Sequence, residues 1–186
     1  MKIAVTGGIG SGKSYVCSLL RKKGIAVFDC DSEAKKIMRN SEKVRTRLVA
    51  ALGAEAYIGT LPNKPFIARF ILESESNAAI VNGIIHPAVA DEFRASGLDF
   101  MECAILFTSG FDALVDKIVC VAAPLDVRVR RIMQRDGITK EAARKWIGCQ
   151  MSQEEMTRRS DYVIDNGVGD NLDRQIDSML EALQCQ

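Results

Sequence analysis

Five short apolar runs recur along the chain: 3-IAV-5, 25-IAVFDC-30, 100-FMECAILF-107, 118-IVCVAA-123 and 162-YVID-165. Each is followed by a turn or by residues suited to a helix, the α/β alternation expected of a parallel sheet covered by helices. Between the runs the apolar period lengthens to that of a helix, most clearly over residues 13–23, 124–135 and 171–183. In the last of these Leu172, Ile176, Met179, Leu180 and Leu183 fall on one face.

About 70 residues separate the second and third strands, far more than the dozen or so that a simple crossover needs. An insertion is expected there. Residues 32–96 read as several helices, with Pro62, Pro65 and Pro87 as breaks or first-turn residues. A second excursion, residues 135–160, is strongly charged and helical, joins the fourth strand's helix to the fifth strand, and suits a mobile lid. No internal repeat, low-complexity tract or polar linker interrupts the pattern. The 186 residues suit one core with an appendage better than two full-sized domains.

A hydrophobic content of 47% and a charged content of 26% belong to a folded globular chain and argue against a disordered, fibrous or disulfide-stapled one. The formal net charge of +1 supplies no global field for nucleic acid, so an anionic ligand must be caught by a local cluster of donors. No apolar run approaches the roughly 20 residues that span a bilayer, and the N-terminus lacks the apolar core of a signal peptide. A cytoplasmic protein with neither a nucleic-acid nor a membrane partner is expected; the pattern leaves the oligomeric state unknown. Cys17, Cys30, Cys103, Cys120, Cys149 and Cys185 form no C-x-x-C pair, so buried thiols are expected rather than a metal site.

The segment Gly7-Gly8-Ile9-Gly10-Ser11-Gly12-Lys13-Ser14 fits G-x-x-x-x-G-K-[ST], with a strand before it and a helix after it. Its glycines, Gly8, Gly10 and Gly12 among them, let backbone N–H groups wrap a phosphate, and the helix that begins near Gly12 adds its positive dipole end. Lys13 is then expected on the β- and γ-phosphates, and the Ser14 hydroxyl on Mg²⁺. A GTPase would need N-K-x-D; Asn63-Lys64-Pro65-Phe66 lacks the aspartate and follows no strand.

Asp29 and Asp31 close the second strand, where the carboxyl ends of a doubly wound sheet line one crevice. At two-residue spacing on an extended chain they would share a face. Two readings stand. One carboxylate accepts or orients the proton of an attacking hydroxyl, or Asp31-Ser32-Glu33 caps the following helix.

With these stretches, 6-TGGIGSGKS-14, 24-GIAVFDCD-31, His86-Pro87, 133-MQRDGIT-139 and 161-DYVIDN-166, the chain resembles the dephospho-coenzyme A kinase family over nearly its whole length. The resemblance implies a P-loop NTPase fold of nucleoside-monophosphate-kinase type with a five-stranded parallel sheet. It also implies ATP- and Mg²⁺-dependent phosphorylation of the ribose 3′-hydroxyl of dephospho-CoA. By that resemblance Asp31 matches the aspartate proposed as catalytic base, and Gly10, Ser11, Gly12, Lys13, Ser14 and Tyr15 match the ATP-binding stretch. The implied division is a nucleotide-binding core of residues 1–31, 97–134 and 161–186, a helical CoA-substrate domain of 32–96, and a lid of 135–160. The rivals are another small-molecule P-loop kinase, such as one for nucleosides or shikimate, and a nucleotide-binding regulatory module without turnover.

Five further residues are candidates. Arg131 and Arg135 lie one turn apart, where they either close on phosphates, Arg135 in a catalytic role, or form a solvated basic face. His86 is either a substrate contact or the residue of an X-Pro turn. Asn166 either faces the adenine of ATP or belongs to the turn after the fifth strand. The third strand departs from the family's D-x-P-L-L-F-E: in 102-ECAILFT-108 Glu102 keeps an acid, Ala104 replaces the proline, and Thr108 stands where glutamate is usual. Thr108 is therefore expected at the strand end, near substrate, and to weaken activity without disturbing the fold. Asn63 and Trp146 occupy positions where the family frequently has arginine.

Overall fold

The structure, a computed structural model, describes residues 1–167, 169 and 171–184; Cys185 lies outside the described residues. In chain order the elements are β1 (Ile3–Thr6), α1 (Lys13–Lys22), β2 (Val27–Asp29), α2 (Cys30–Asn40), α3 (Glu42–Leu52), β3 (Tyr57–Ile58), β4 (Leu61–Pro62), α4 (Lys64–Glu73) and α5 (Glu75–Ser96). There follow β5 (Phe100–Glu102), α6 (Leu106–Ser109), β6 (Lys117–Ala122), α7 (Leu125–Asp136), α8 (Lys140–Gly148), α9 (Gln153–Arg158), β7 (Tyr162–Asp165) and α10 (Leu172–Gln184).

Five strands form one parallel sheet ordered β2-β5-β1-β6-β7, so β1, the most buried strand, is central. Its neighbours are far away in sequence: Val5 lies opposite Glu102 on β5 and opposite Val119 on β6. This order delivers the end of β5 beside the loop that leaves β1. The predicted apolar face of the last helix is real, with Leu172, Ile176, Met179 and Leu183 buried against Val16, Cys17 and Leu20 of α1 and the strand residues Ile3, Val5 and Ile164. A second cluster of Val129, Ile132 and Ala143 joins α7 to α8, and the loop residue Ile9 packs on it.

Two compact units are present, Met1–Phe28 with Leu98–Gln186, and Asp29–Gly97. The second contains α2 to α5 and the two-residue ribbon β3–β4, with Val44, Leu48, Ile67, Val81, Val89 and Phe93 in its interior. The Tyr57 hydroxyl fastens the ribbon by donating to Met38 O at 2.7 Å. Helices α8 and α9 of the expected lid lie within the first unit.

Two strands are shorter than their apolar runs. β2 stops at Asp29 because that residue turns to cap α2, its Oδ1 accepting from Ser32 N at 3.0 Å and its Oδ2 from Ser32 Oγ at 2.8 Å. β5 stops at Glu102; Cys103 N makes a last bond to Val5 O at 3.0 Å, and the chain then turns and buries Leu106 from the short helix α6. Pro87, expected as a break or a first-turn residue, lies inside α5, which runs through it. Proline removes the donor that would meet Gly83 O, and Arg47 Nη2 reaches that carbonyl instead at 3.5 Å.

Ile176 is fully buried between α1 and the sheet. Ile176→Ala is expected to lower stability by about 2–5 kcal/mol in urea unfolding, the range for an unrelaxed core truncation. A loss below about 1 kcal/mol would place this helix outside the cooperative core.

Candidate active site

The loop between β1 and α1 is shaped by contacts as well as by torsions. Gly10 and Gly12 have φ of 79° and 89°, the region that side chains avoid. A Cβ on Gly10 would also stand 2.7 Å from Arg128 O, and one on Gly12 would overlap Asn166 Nδ2. The chain thus closes on its neighbours at both positions. Thr6 Oγ1 and Ser11 Oγ, at either end of the loop, are buried with no hydrogen-bond partner among the described residues.

Side chains of Asp29, Ser41, Asn63, Ser74, Thr139 and Ser152 cap α2, α3, α4, α5, α8 and α9. Helix α1 starts from Gly12 without a side-chain cap. Its first-turn N–H groups, Lys13 and Ser14 among them, face the loop with the positive end of the helix dipole, which suits an anion.

Lys13 and Ser14 converge on one carboxylate. Lys13 Nζ donates to Glu102 Oε1 at 2.7 Å and Ser14 Oγ to the same oxygen at 2.6 Å, while Arg21 Nη2 lies 3.5 Å from Oε2. The Lys13 and Glu102 side chains are only 11% and 6% exposed, so this is a buried pair with both ends hydrogen-bonded. Cys17 lies beside it; burial first, then the Glu102 charge, pushes its thiol far up. Cys30, Cys103 and Cys120 are likewise buried, and Cys149 is exposed. No cluster of three metal-ligating side chains occurs among the described residues.

The expected site residues divide. Lys13, Ser14, Arg131 and Asn166 come together around the loop: Asn166 is buried, its Nδ2 donates to Ser11 O at 2.7 Å, and its Oδ1 accepts from Arg131 Nη2 at 3.3 Å. Arg131 Nη1 also reaches Ser11 O at 3.2 Å. Asn166 thus spends its amide on the loop itself. Tyr15 is 56% exposed on α1. Arg135 does not join Arg131; it extends outward, its guanidinium occupied by its neighbour Asp136 at 2.7 Å.

Asp29 and Asp31 do not share a strand face. Asp29 is the cap of α2, and Asp31 is an exposed residue of that helix's first turn, because the strand ends before it. Thr108 is not at the end of β5 either; it is exposed on α6, its Oγ1 donating to Ile105 O at 3.2 Å, and the strand-end carboxylate is Glu102. His86 is half-buried inside α5 rather than in a turn. Asn63 is the α4 cap, with Nδ2 donating to Glu55 O at 2.9 Å, and Trp146 is 44% exposed on α8.

Three loop partners were not anticipated as site residues. Glu102 was legible as an acid on a strand, but its meeting with Lys13 depends on β5 lying beside β1. Arg128, on α7, donates from Nε to Ile9 O at 3.0 Å, and Gln150 Oε1 accepts from Ile9 N at 2.7 Å. Both meet the loop across more than a hundred residues of sequence, and no local signal distinguishes them.

A family model described as dephospho-CoA kinase matches residues 1–171. A dephospho-CoA kinase of Bacteroides fragilis is 43% identical over 173 residues, which cover 89% of this chain and 84% of that one. A solved protein of Thermus thermophilus, 32% identical, superposes with a TM-score of 0.83 over 98% of this chain and 97% of its own. A solved shikimate kinase of Bacteroides thetaiotaomicron, 15% identical with a TM-score of 0.57 over 99% and 98% of the two chains, is similar in fold alone.

Burial holds the His86 imidazole below its ordinary titration range. The unfolded chain therefore takes up this proton first, so the contribution is fully present above the unfolded value near 6.5 and is lost as pH falls through it. The urea midpoint is expected to drop between pH 7.5 and 5.5, and to drop less in His86→Gln. Equal drops in the two proteins would show that His86 carries none of the dependence.

Proposed function

The chain belongs to the dephospho-CoA kinase family, and on that premise we propose that it moves the γ-phosphoryl group of ATP to the ribose 3′-hydroxyl of dephospho-CoA, giving coenzyme A and ADP. The O3′–Pγ bond forms, the bond from Pγ to the bridging oxygen of ADP breaks, and the hydroxyl proton leaves through a carboxylate to solvent. The shared fold of shikimate kinase does not select the acceptor; family membership does.

The observation that carries the site reading is the meeting of Lys13, Ser14 and Glu102 at the uncapped start of α1. Lys13 would leave Glu102 for the β- and γ-phosphates. Ser14 and Glu102 supply hard oxygen donors that fit Mg²⁺, which takes few protein ligands beside phosphate oxygens. When bound, Mg²⁺ would neutralise charge on the phosphates. Arg131, drawn against Ser11, supports a contact with the nucleotide, and Arg135 would have to give up Asp136 to join it. Asp31, exposed and on the first turn of α2, is free to turn toward an acceptor hydroxyl as base.

The inserted helical unit is proposed to hold dephospho-CoA. In support, it contains a cavity of about 500 Å³ with Lys35, Lys36, Arg39 and Lys64 on its wall beside Met38 and Leu61. Cations suit a diphosphate and the apolar residues suit a pantetheine arm. Residues 135–160, which contain α8 and α9, are proposed to act as the lid.

The experiment is a coupled assay with ATP, Mg²⁺ and dephospho-CoA, following ADP and CoA together. Wild-type protein is expected to form both. Asp31→Asn should lower kcat by about 10²-fold, and Arg39→Ala should raise KM for dephospho-CoA several-fold, about 1 kcal/mol, with KM for ATP unchanged. Folded wild-type protein that makes no CoA contradicts the function; undiminished Asp31→Asn turnover contradicts the base.

A further inference from the structure

Arg128 is a cation in an unusual position. It is 4% exposed, a depth at which arginine is rarely found without an acid, yet no carboxylate among the described residues lies within ion-pair distance; Glu154 acts on it only through a longer-range field. Its Nε is satisfied by Ile9 O. Its Nη2 lies against Gly8 so closely that a Cβ there would overlap it, and no hydrogen bond to Nη1 or Nη2 occurs among the described residues. Burial depresses the guanidinium below its ordinary value, so the folded protein holds this charge at a cost. Gln150 and Arg128 grip the N–H and the C=O of Ile9, which fixes the loop where the guanidinium meets it.

A desolvated cation without a protein counter-charge is accounted for by an anion from outside the chain. We propose that Arg128 is a phosphate-binding residue of the nucleotide site, its guanidinium supplying charge and hydrogen bonds to the polyphosphate of a nucleoside triphosphate at Gly8. This rests on the placement of ATP in the loop proposed above. It assigns Gly8 a second task, since only a residue without a side chain admits both the guanidinium and the phosphate to one spot. It also separates Arg128 from a mere brace: a brace needs the Nε bond alone, whereas phosphate binding needs the terminal nitrogens.

Calorimetric Kd values for ATP, ADP and AMP on the full chain distinguish the two roles. Arg128→Gln, which retains a donor, is expected to weaken ATP by about tenfold or more, ADP by less and AMP little. Arg128→Lys should recover part of the ATP affinity while lacking the Ile9 bond. Equal weakening of all three nucleotides, no weakening, or unfolding of both variants would overturn the proposal and leave Arg128 as a brace. Wild-type protein that binds no ATP would instead overturn the nucleotide reading beneath it.

Discussion

The buried carboxylate of Glu102 is the interaction on which the site depends. Taking an unpaired carboxylate out of water costs several kcal/mol. Here Lys13, Ser14, Arg21 and the positive start of α1 together offset it. Lys13, Ser14 and the start of α1 are also what a phosphate would use. Lys13 is thus held against an internal anion, and on the proposed reading nucleotide binding would be an exchange of partners rather than the filling of an empty cradle.

Around this centre the loop is held by groups from distant parts of the chain. Asn166 and Arg131 grip Ser11, Arg128 and Gln150 grip Ile9, and the Ile9 side chain enters the α7–α8 cluster. The loop is thus part of the packing of the helices that follow β6. Any displacement of α7 or α8 moves the loop backbone, which on the proposed reading would give the segment after α7 a physical route to respond to the nucleotide.

Much of the architecture could be read from periodicity, since apolar runs and helical faces are local properties. The errors fall where burial does not imply a strand: Cys103 and Leu106 are buried by a turn and a short helix, and Asp29 ends its strand by capping a helix. Lys13 and Ser14 were legible because the motif is contiguous. Glu102 became a partner only through the strand order, and Arg128 and Gln150 only through packing across more than a hundred residues. Such contacts have no signature along the chain.

The most direct test of the exchange is Glu102→Gln, comparing ATP affinity in EDTA with turnover in Mg²⁺. With the competing charge gone, Lys13 is available to phosphate, so metal-free ATP should bind about tenfold more tightly, a gain of roughly 1.4 kcal/mol, while kcat with Mg²⁺ falls by at least that factor. Unchanged or weakened metal-free binding together with undiminished turnover would contradict the account.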